Sequence, residues 1–252
     1  MIWIKNDKEI EAMRKAGRLT GETLLMLEKM IAPGVTTDQL NAAAEDFITK
    51  HGARPSFKNY RGYPKAVCTS VNSVVVHGIP GNTVLCEGDI ISIDVGAYLN
   101  GFHGDAARTY AVGEISDNAK KLIEVTKQSF FEGMKFAKDG NRLGDLSSAI
   151  QNYAEQYGYG VVRDLVGHGI GGALHEDPDV PNYGKAGKGI RLRKGMTIAV
   201  EPMINEGSYD VSVMPDGWTI KTVDGKLSAH YENTIVITEG EPELLTLWDE
   251  SL

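Results

Sequence analysis

Three observations predict an α+β fold built from one unit written twice. Residues 88–105 carry a strand pattern with a tight turn, and of four amphipathic helices the second and fourth repeat one apolar spacing. A constant offset of 106 residues superposes Gly34, Leu40 and Gly52 on Gly140, Leu146 and Gly158. In the strand pattern Ile91, Ile93 and Val95 alternate, and Asn100-Gly101 is the strongest short hairpin signal a sequence offers. With those two residues as the loop, Leu99 pairs with Phe102 and Gly96 lies opposite Asp105. Asp94 shares the face of Gly96, because side chains alternate with period two. Asp94 and Asp105 are then diagonal neighbours, about 7–8 Å apart at the backbone. Two acids aimed at one point need a cation or a shared proton between them, and a metal site is expected.

At 252 residues, 42% hydrophobic and 24% charged, the chain has an ordinary globular composition with enough apolar residues for a sizeable core. Its 26 basic and 34 acidic residues leave a net charge of −8 without a basic block, which argues against nucleic acid or an anionic membrane as the main partner. No apolar run approaches the roughly 18 residues of a membrane span, and the start at Met1 lacks a signal-peptide core, so a cytoplasmic protein is expected. Cys68 and Cys86 form neither a disulfide framework nor a CxxC pair. Both are expected as buried thiols, Cys68 with a pocket wall as the alternative.

Taken in order, a first helix is capped by Asn6 or Asp7, buries Ile10, Met13, Thr20, Leu24, Leu27 and Ile31, and ends at Ala32-Pro33-Gly34. A second opens with Thr36 and Gln39 in capping-box spacing, turns Leu40, Ala43, Ala44, Phe47 and Ile48 inward, and stops at His51-Gly52. Ser116 caps a third, which runs through Ile123, Phe130, Met134 and Ala137 to Asp139-Gly140. A fourth buries Leu146, Ala149, Ile150, Tyr153 and Ala154 and stops at Tyr157-Gly158. The repeat carries polar residues with it. Val76-His77-Gly78-Ile79 answers Gly167-His168-Gly169-Ile170, and Gly88 with Asp94 answers Gly195 with Glu201. A closing strand is expected over Ala229–Ile237, with Glu232 facing Glu201 much as Asp105 faces Asp94. No linker or low-complexity tract separates the halves, about 1–113 and 114–252. One pseudo-symmetric domain over 1–252 is expected, its polar groups meeting in a central cleft.

The candidate ligands are Asp94, Asp105, His168, Glu201 and Glu232. Four carboxylates and one imidazole are too acidic a set for one structural zinc and suit two divalent cations about 3.5–4 Å apart. Such a pair supplies hydroxide near neutral pH and polarises a carbonyl, which is the chemistry of hydrolysis. Four carboxylates also balance two divalent charges. Ligand hardness disfavours copper but does not separate cobalt, manganese, iron, zinc and nickel. His77 and His175 stand beside the repeated motifs and are candidates to hydrogen-bond a substrate carbonyl or oxyanion, a satisfied loop histidine being the alternative for each. A lone Asp at a strand end usually caps or faces solvent. Asp94 differs because Glu201 repeats it inside an apolar strand, where an unpaired carboxylate is costly. Phe57, Tyr60, Tyr63, Cys68, Leu174 and Trp218 are candidates for an apolar pocket wall, or else plain core.

These residues resemble a bacterial type I methionine aminopeptidase over nearly the whole chain. The resemblance is carried by Gly62-Tyr63-Pro64-Lys65, Ser70-Val71-Asn72, His77-Gly78-Ile79-Pro80, Ile93-Asp94-Val95-Gly96 and Gly101-Phe102-His103-Gly104-Asp105. Gly167-His168-Gly169-Ile170-Gly171, His175-Glu176, Glu201-Pro202-Met203, Asp216-Gly217-Trp218-Thr219 and Glu232 continue it. It implies the pseudo-two-fold pita-bread fold, a curved antiparallel sheet backed by helices, and removal of the initiator methionine from new polypeptides at the ribosome, with a small second residue favoured. It implies two metals on the five ligands with Asp105 and Glu232 bridging, substrate contacts from His77 and His175, and Glu201 as proton shuttle. It also implies a monovalent cation on carbonyls near Asn72, Val74 and Ser228. A monomer is expected, because the duplication supplies within one chain what a dimer interface supplies between chains. Leu174 where Phe is common, Phe57 where a small residue or Cys is common, and Asn233 where His is common depart from the family pattern and bear on pocket shape and rate. A proline-directed peptidase of the same fold shares the ligands but carries an extra N-terminal domain, whereas the repeat here starts within a few residues of Met1. Type II methionine aminopeptidases carry an insertion in the second half that this short chain lacks. A metal-free binding protein on the fold would be expected to have lost ligands, and all five are present.

Overall fold

The computed structural model describes residues 1–247, so residues 248–252 of the expected domain lie outside the described part. Each helix begins where a side chain satisfies free backbone N–H groups of its first turn. Helix α1 (Asp7–Glu28) is capped by Asn6, whose side chain accepts from the N–H groups of Lys8 and Glu9 at 3.0 and 3.1 Å, while Glu9 accepts that of Asn6 at 2.8 Å. Helix α2 (Thr37–Lys50) uses the Thr36–Gln39 box in the same way. Ser116 caps α3 (Asp117–Met134), accepting from Ala119 N–H at 3.2 Å. At α4 (Leu143–Glu155) the Asp145 side chain accepts the Arg142 N–H at 2.8 Å.

Two helix ends differ from expectation. Helix α1 stops before Ile31 and α3 before Ala137, because the N–H groups of Met30 and Phe136 turn back onto the carbonyls of Leu27 and Gly133 in tighter turns. Ile31 and Ala137 still pack inward. The aligned glycines share a backbone conformation: φ is 93° at Gly34 and 88° at Gly140, 74° at Gly52 and 81° at Gly158. The repeat therefore extends to left-handed helix stops that favour glycine.

The first hairpin, Ile90–Leu99 with Phe102–Ala111, has the expected antiparallel register, Leu99 opposite Phe102 and Gly96 opposite Asp105. Its loop residues Asn100 and Gly101 are both left-handed, at φ 53° and 89°, which matches the twist of the flanking strands. Strand Val67–Val71 adds to its other edge and sets Cys68 opposite Asp94. The second hairpin departs from expectation. The closing strand is divided into Ser228–His230, paired with Met203–Asn205, and Asn233–Val236, paired with Thr197–Val200. Glu201 and Glu232 fall in the gap. Pro202 has no N–H to donate there, and Glu232 sends its own to the carbonyl of Ala107 in the first hairpin at 2.9 Å. The ladder thus opens where the two halves join.

Helices back both hairpins. Leu24, Leu27, Leu40 and Ile48 pack on Ile91 and Ile93, while Phe130, Leu146 and Ile150 pack on Ile198 and Ile235. Helix α1 crosses the first hairpin where two glycine backbones touch, and a Cβ on Gly104 would stand 2.7 Å from Gly17 Cα. The expectation for Cys86 is overturned: it is exposed, because Leu85, 1% exposed, takes the inward position. Among the described residues no helix is long and apolar enough to cross a membrane.

Candidate metal centre

All five expected ligands line one cavity of about 170 Å³. Asp94 and Asp105 reach it from adjacent strands of the first hairpin, His168 from the short strand Gly167–Gly169, and Glu201 and Glu232 from the gap in the second hairpin. Backbone pairing orients the imidazole. His168 Nδ1 lies 2.9 Å from the Gly169 carbonyl, which assigns the proton to Nδ1 and leaves a lone pair on Nε2. That lone pair faces Asp105 Oδ2 at 3.8 Å and Glu201 Oε1 at 3.7 Å.

Burial pushes the Asp94 carboxyl up to about 7. Burial first, then the neighbouring carboxylates, holds Asp105, Glu201 and Glu232 well above the ordinary carboxylate range. Burial lowers His168 to about 4, so its imidazole is neutral at pH 7. Asp94 Oδ1 and Asp105 Oδ1 are buried without a hydrogen-bond partner. Unpaired carboxylate oxygens in such a setting are unfavourable, and a divalent cation supplies both the charge and the contact they lack. The donor set fits. Asp105, His168 and Glu232 lie close enough together to hold one ion, and so do Glu201, His230 and Glu232.

His230 was not among the expected site residues. A signal for it exists, because each half carries His-x-acid on its second strand, His103 before Asp105 and His230 before Glu232. Only tertiary structure separates them: His103 Nδ1 pairs with Ser56 Oγ at 2.9 Å, whereas His230 Nε2 faces Glu201 and Glu232. Arg61 also lines the cavity and was likewise not anticipated.

Phe57, Tyr63, Cys68 and Leu174, all buried, and Tyr60 and Trp218, half-buried, form the apolar wall of the same cavity and at the same time one packed cluster. Pocket and core are here one set of side chains. Tyr63 meets Trp218 edge-on at 5.2 Å and donates its hydroxyl hydrogen toward the carbonyls of Gly78 and Val67, at 3.0 and 3.1 Å. His77 and His175 stand where this cavity meets a wider groove of about 670 Å³. His77 holds a left-handed φ of 58°, uncommon for a residue with a side chain, and burial lowers its pKa. His175 is exposed toward the groove, with Nδ1 2.8 Å from the Tyr60 hydroxyl and its ring 4.0 Å from that of His168. Asn233 Oδ1 accepts from Arg108 at 2.7 Å and from Thr246 at 3.0 Å, so this departure from the family pattern has a structural role. Ser228 N–H donates to the Asn72 carbonyl at 2.9 Å, which brings together two of the residues expected near a monovalent cation.

The sequence matches the profile of metallopeptidase family M24 over residues 11–239. It is 60% identical over 248 residues to the methionine aminopeptidase of Clostridium acetobutylicum, covering 98% of this chain and 99% of that protein. The crystal structure of methionine aminopeptidase from Rickettsia prowazekii superposes with a TM-score of 0.97 at 46% identity, covering 98% of this chain and 100% of that one. The prolidase of Pyrococcus horikoshii shares the pita-bread fold at a greater distance, with a TM-score of 0.80 and 26% identity over 99% of this chain and 65% of that one. Profile, identity and superposition agree with a cavity whose buried acids fit metal ions, and the chain belongs to metallopeptidase family M24, among the methionine aminopeptidases.

Proposed function

We propose that the chain removes the initiator methionine from new polypeptides by hydrolysis at a centre of two divalent cations. The observation that carries this reading is convergence: five side chains from both halves of the chain line one cavity whose other wall is apolar. At about 170 Å³ the cavity is small beside the roughly 300–1,000 Å³ typical of drug-sized ligands and suits a single side chain. Methionine fills irregular apolar space and favours aromatic edges, which Phe57, Tyr63 and Trp218 offer beside Cys68 and Leu174.

Asp94, Asp105, His168, Glu201 and Glu232 would hold the two cations. Cations bound there supply hydroxide near neutral pH and polarise a carbonyl. The remaining work falls to the chain's own groups. His77 and His175 hold the peptide at the mouth, Tyr60 fixing the His175 ring through Nδ1. The Glu201 carboxylate takes the proton of the attacking water and passes it to the departing amine. Tyr60, His77 and His175 crowd the mouth, which supports a preference for a small second residue. The proposal extends to a monovalent cation on backbone carbonyls near Asn72, Val74 and Ser228, to nascent chains at the ribosome as partner, to the cytoplasm as location and to a monomer.

A Met-Ala-Ser peptide offered with each of several divalent metals tests the reading. Release of free methionine is expected, and Asp105→Asn should slow it by orders of magnitude. Cleavage of Ala-Pro but not Met-Ala peptides would replace this function with a proline-directed one. No turnover of either peptide with any metal would mean a binding protein.

A further inference from the structure

Glu201 stands between two imidazoles. Its Oε1 faces His168 Nε2 at 3.7 Å, its Oε2 faces His230 Nε2 at 3.7 Å, and Glu232 Oε2 lies 3.9 Å from the same His230 nitrogen. The two histidines differ in their surroundings. His168 lines the cavity, whereas His230, 2% exposed, does not and is instead among the residues lining a separate cavity with Arg108 and Lys127. Thr109 Oγ1 pins the His230 backbone by accepting its N–H at 2.8 Å and donating to its carbonyl at 2.9 Å. The ring therefore leaves the chain on the side of Glu232, two residues on, and Nε2 is buried there with no hydrogen-bond partner.

We propose that His230 is a positioning residue of the metal centre, carrying its proton on Nε2 so that the N–H dipole points between the carboxylates of Glu201 and Glu232. Placement favours this over a further ligand: unlike His168, His230 does not line the cavity. With no cation in front of it, a lone pair on Nε2 would face two anionic oxygens, which is repulsive. At 3.7 and 3.9 Å the attraction is between charge and dipole rather than a closed hydrogen bond. It holds Glu201 Oε2 toward His230 and so keeps Oε1 turned to His168. Supports of this kind typically tune metal affinity 10- to 100-fold.

The inference rests on the metal-centre reading, and one experiment separates the two. Metal-free wild type, His230→Leu and His230→Gln are titrated with Co(II) by calorimetry, and the zinc-loaded wild type is read by 15N NMR of its histidines. The Leu variant should bind about 10- to 100-fold more weakly, and the Gln variant, which returns an N–H of similar reach, should recover to within about threefold of wild type. The NMR shifts should show a proton on His230 Nε2. A Leu variant that binds like wild type, a Gln variant as weak as the Leu variant, or a metal-bound Nε2 would each overturn the assignment. A wild type that binds no divalent ion would overturn the metal centre itself.

Discussion

Asp105 and Thr234 are tied to each other in both directions: Asp105 donates its backbone N–H to Thr234 Oγ1 at 3.0 Å, and that hydroxyl donates to the Asp105 carbonyl at 2.9 Å. A side chain of the second half thereby seats the strand of the first that carries Asp105. Thr234→Val keeps the shape but leaves a buried donor and a buried acceptor unpaired, at about 1–3 kcal/mol each. Melting temperature and Co(II) affinity should fall together, by thermal scan and titration. An unchanged melting temperature would show that the tie contributes nothing.

Gly104→Ala tests the contact that sets α1 on the first hairpin. The added methyl would meet the Gly17 backbone at 2.7 Å, and such overpacking costs about 1–3 kcal/mol. Gly81 has open space around it, so Gly81→Ala should be close to neutral. Urea midpoints of the two variants should separate clearly, and equal midpoints would refute the close approach.

Stability of the metal-free protein should depend on pH in a defined direction. Burial raises Asp94 to about 7 and holds Asp105, Glu201 and Glu232 well above the usual range, so the folded state keeps protons that the unfolded chain releases near pH 4. Their stabilisation is full at low pH and is lost as pH rises through the folded values. Burial lowers His77, His103, His168, His175 and His230, and these work in the opposite sense up to their ordinary value. Unfolded imidazoles are half protonated near about pH 6.5, so their opposing effect fades above it and the carboxyls prevail. The melting temperature of metal-free protein should therefore fall from about pH 6.5 to 8, and added divalent metal should restore it. A flat or rising curve without metal would contradict the buried acid cluster.

Lys5 and Glu176 form an ion pair almost wholly removed from water, and Glu176 Oε1 also accepts the Ala173 N–H at 3.1 Å. The N-terminal segment thus braces the loop that carries Leu174 and His175. Lys5→Ala would leave Glu176 without its counter-charge, and breaking a buried pair in this way costs about 3–5 kcal/mol. Since the loop carries pocket wall rather than the four acids and one imidazole, KM for a Met-Ala-Ser peptide should rise more than kcat falls. Steady-state kinetics showing kcat alone affected would place the damage at the metal centre instead.

Much of this architecture was legible because its causes are local. Asn6 with Glu9, Thr36 with Gln39, and Asn100 with Gly101 act within one turn of chain, and the structure returns their caps and hairpin register as read. Features set by distant contacts were not legible. The second hairpin opens at Pro202 and Glu232 because Glu232 prefers Ala107, a partner in the other half. Cys86 faces solvent because neighbouring Leu85 fills the core. His230 joins the site although His103, at the matching place in the repeat, does not.

By itself the sequence determined the repeat, the strand faces and the acids they present, since alternation and turn chemistry hold wherever a strand is placed. Only the tertiary structure decided which nitrogen faces which oxygen around Glu201, and that Phe57, Tyr63, Cys68 and Leu174 are pocket and core at once. Those outcomes depend on how the two halves dock, and docking is set by contacts such as Glu232 with Ala107 and Thr234 with Asp105, between residues far apart in the chain that no local pattern pairs.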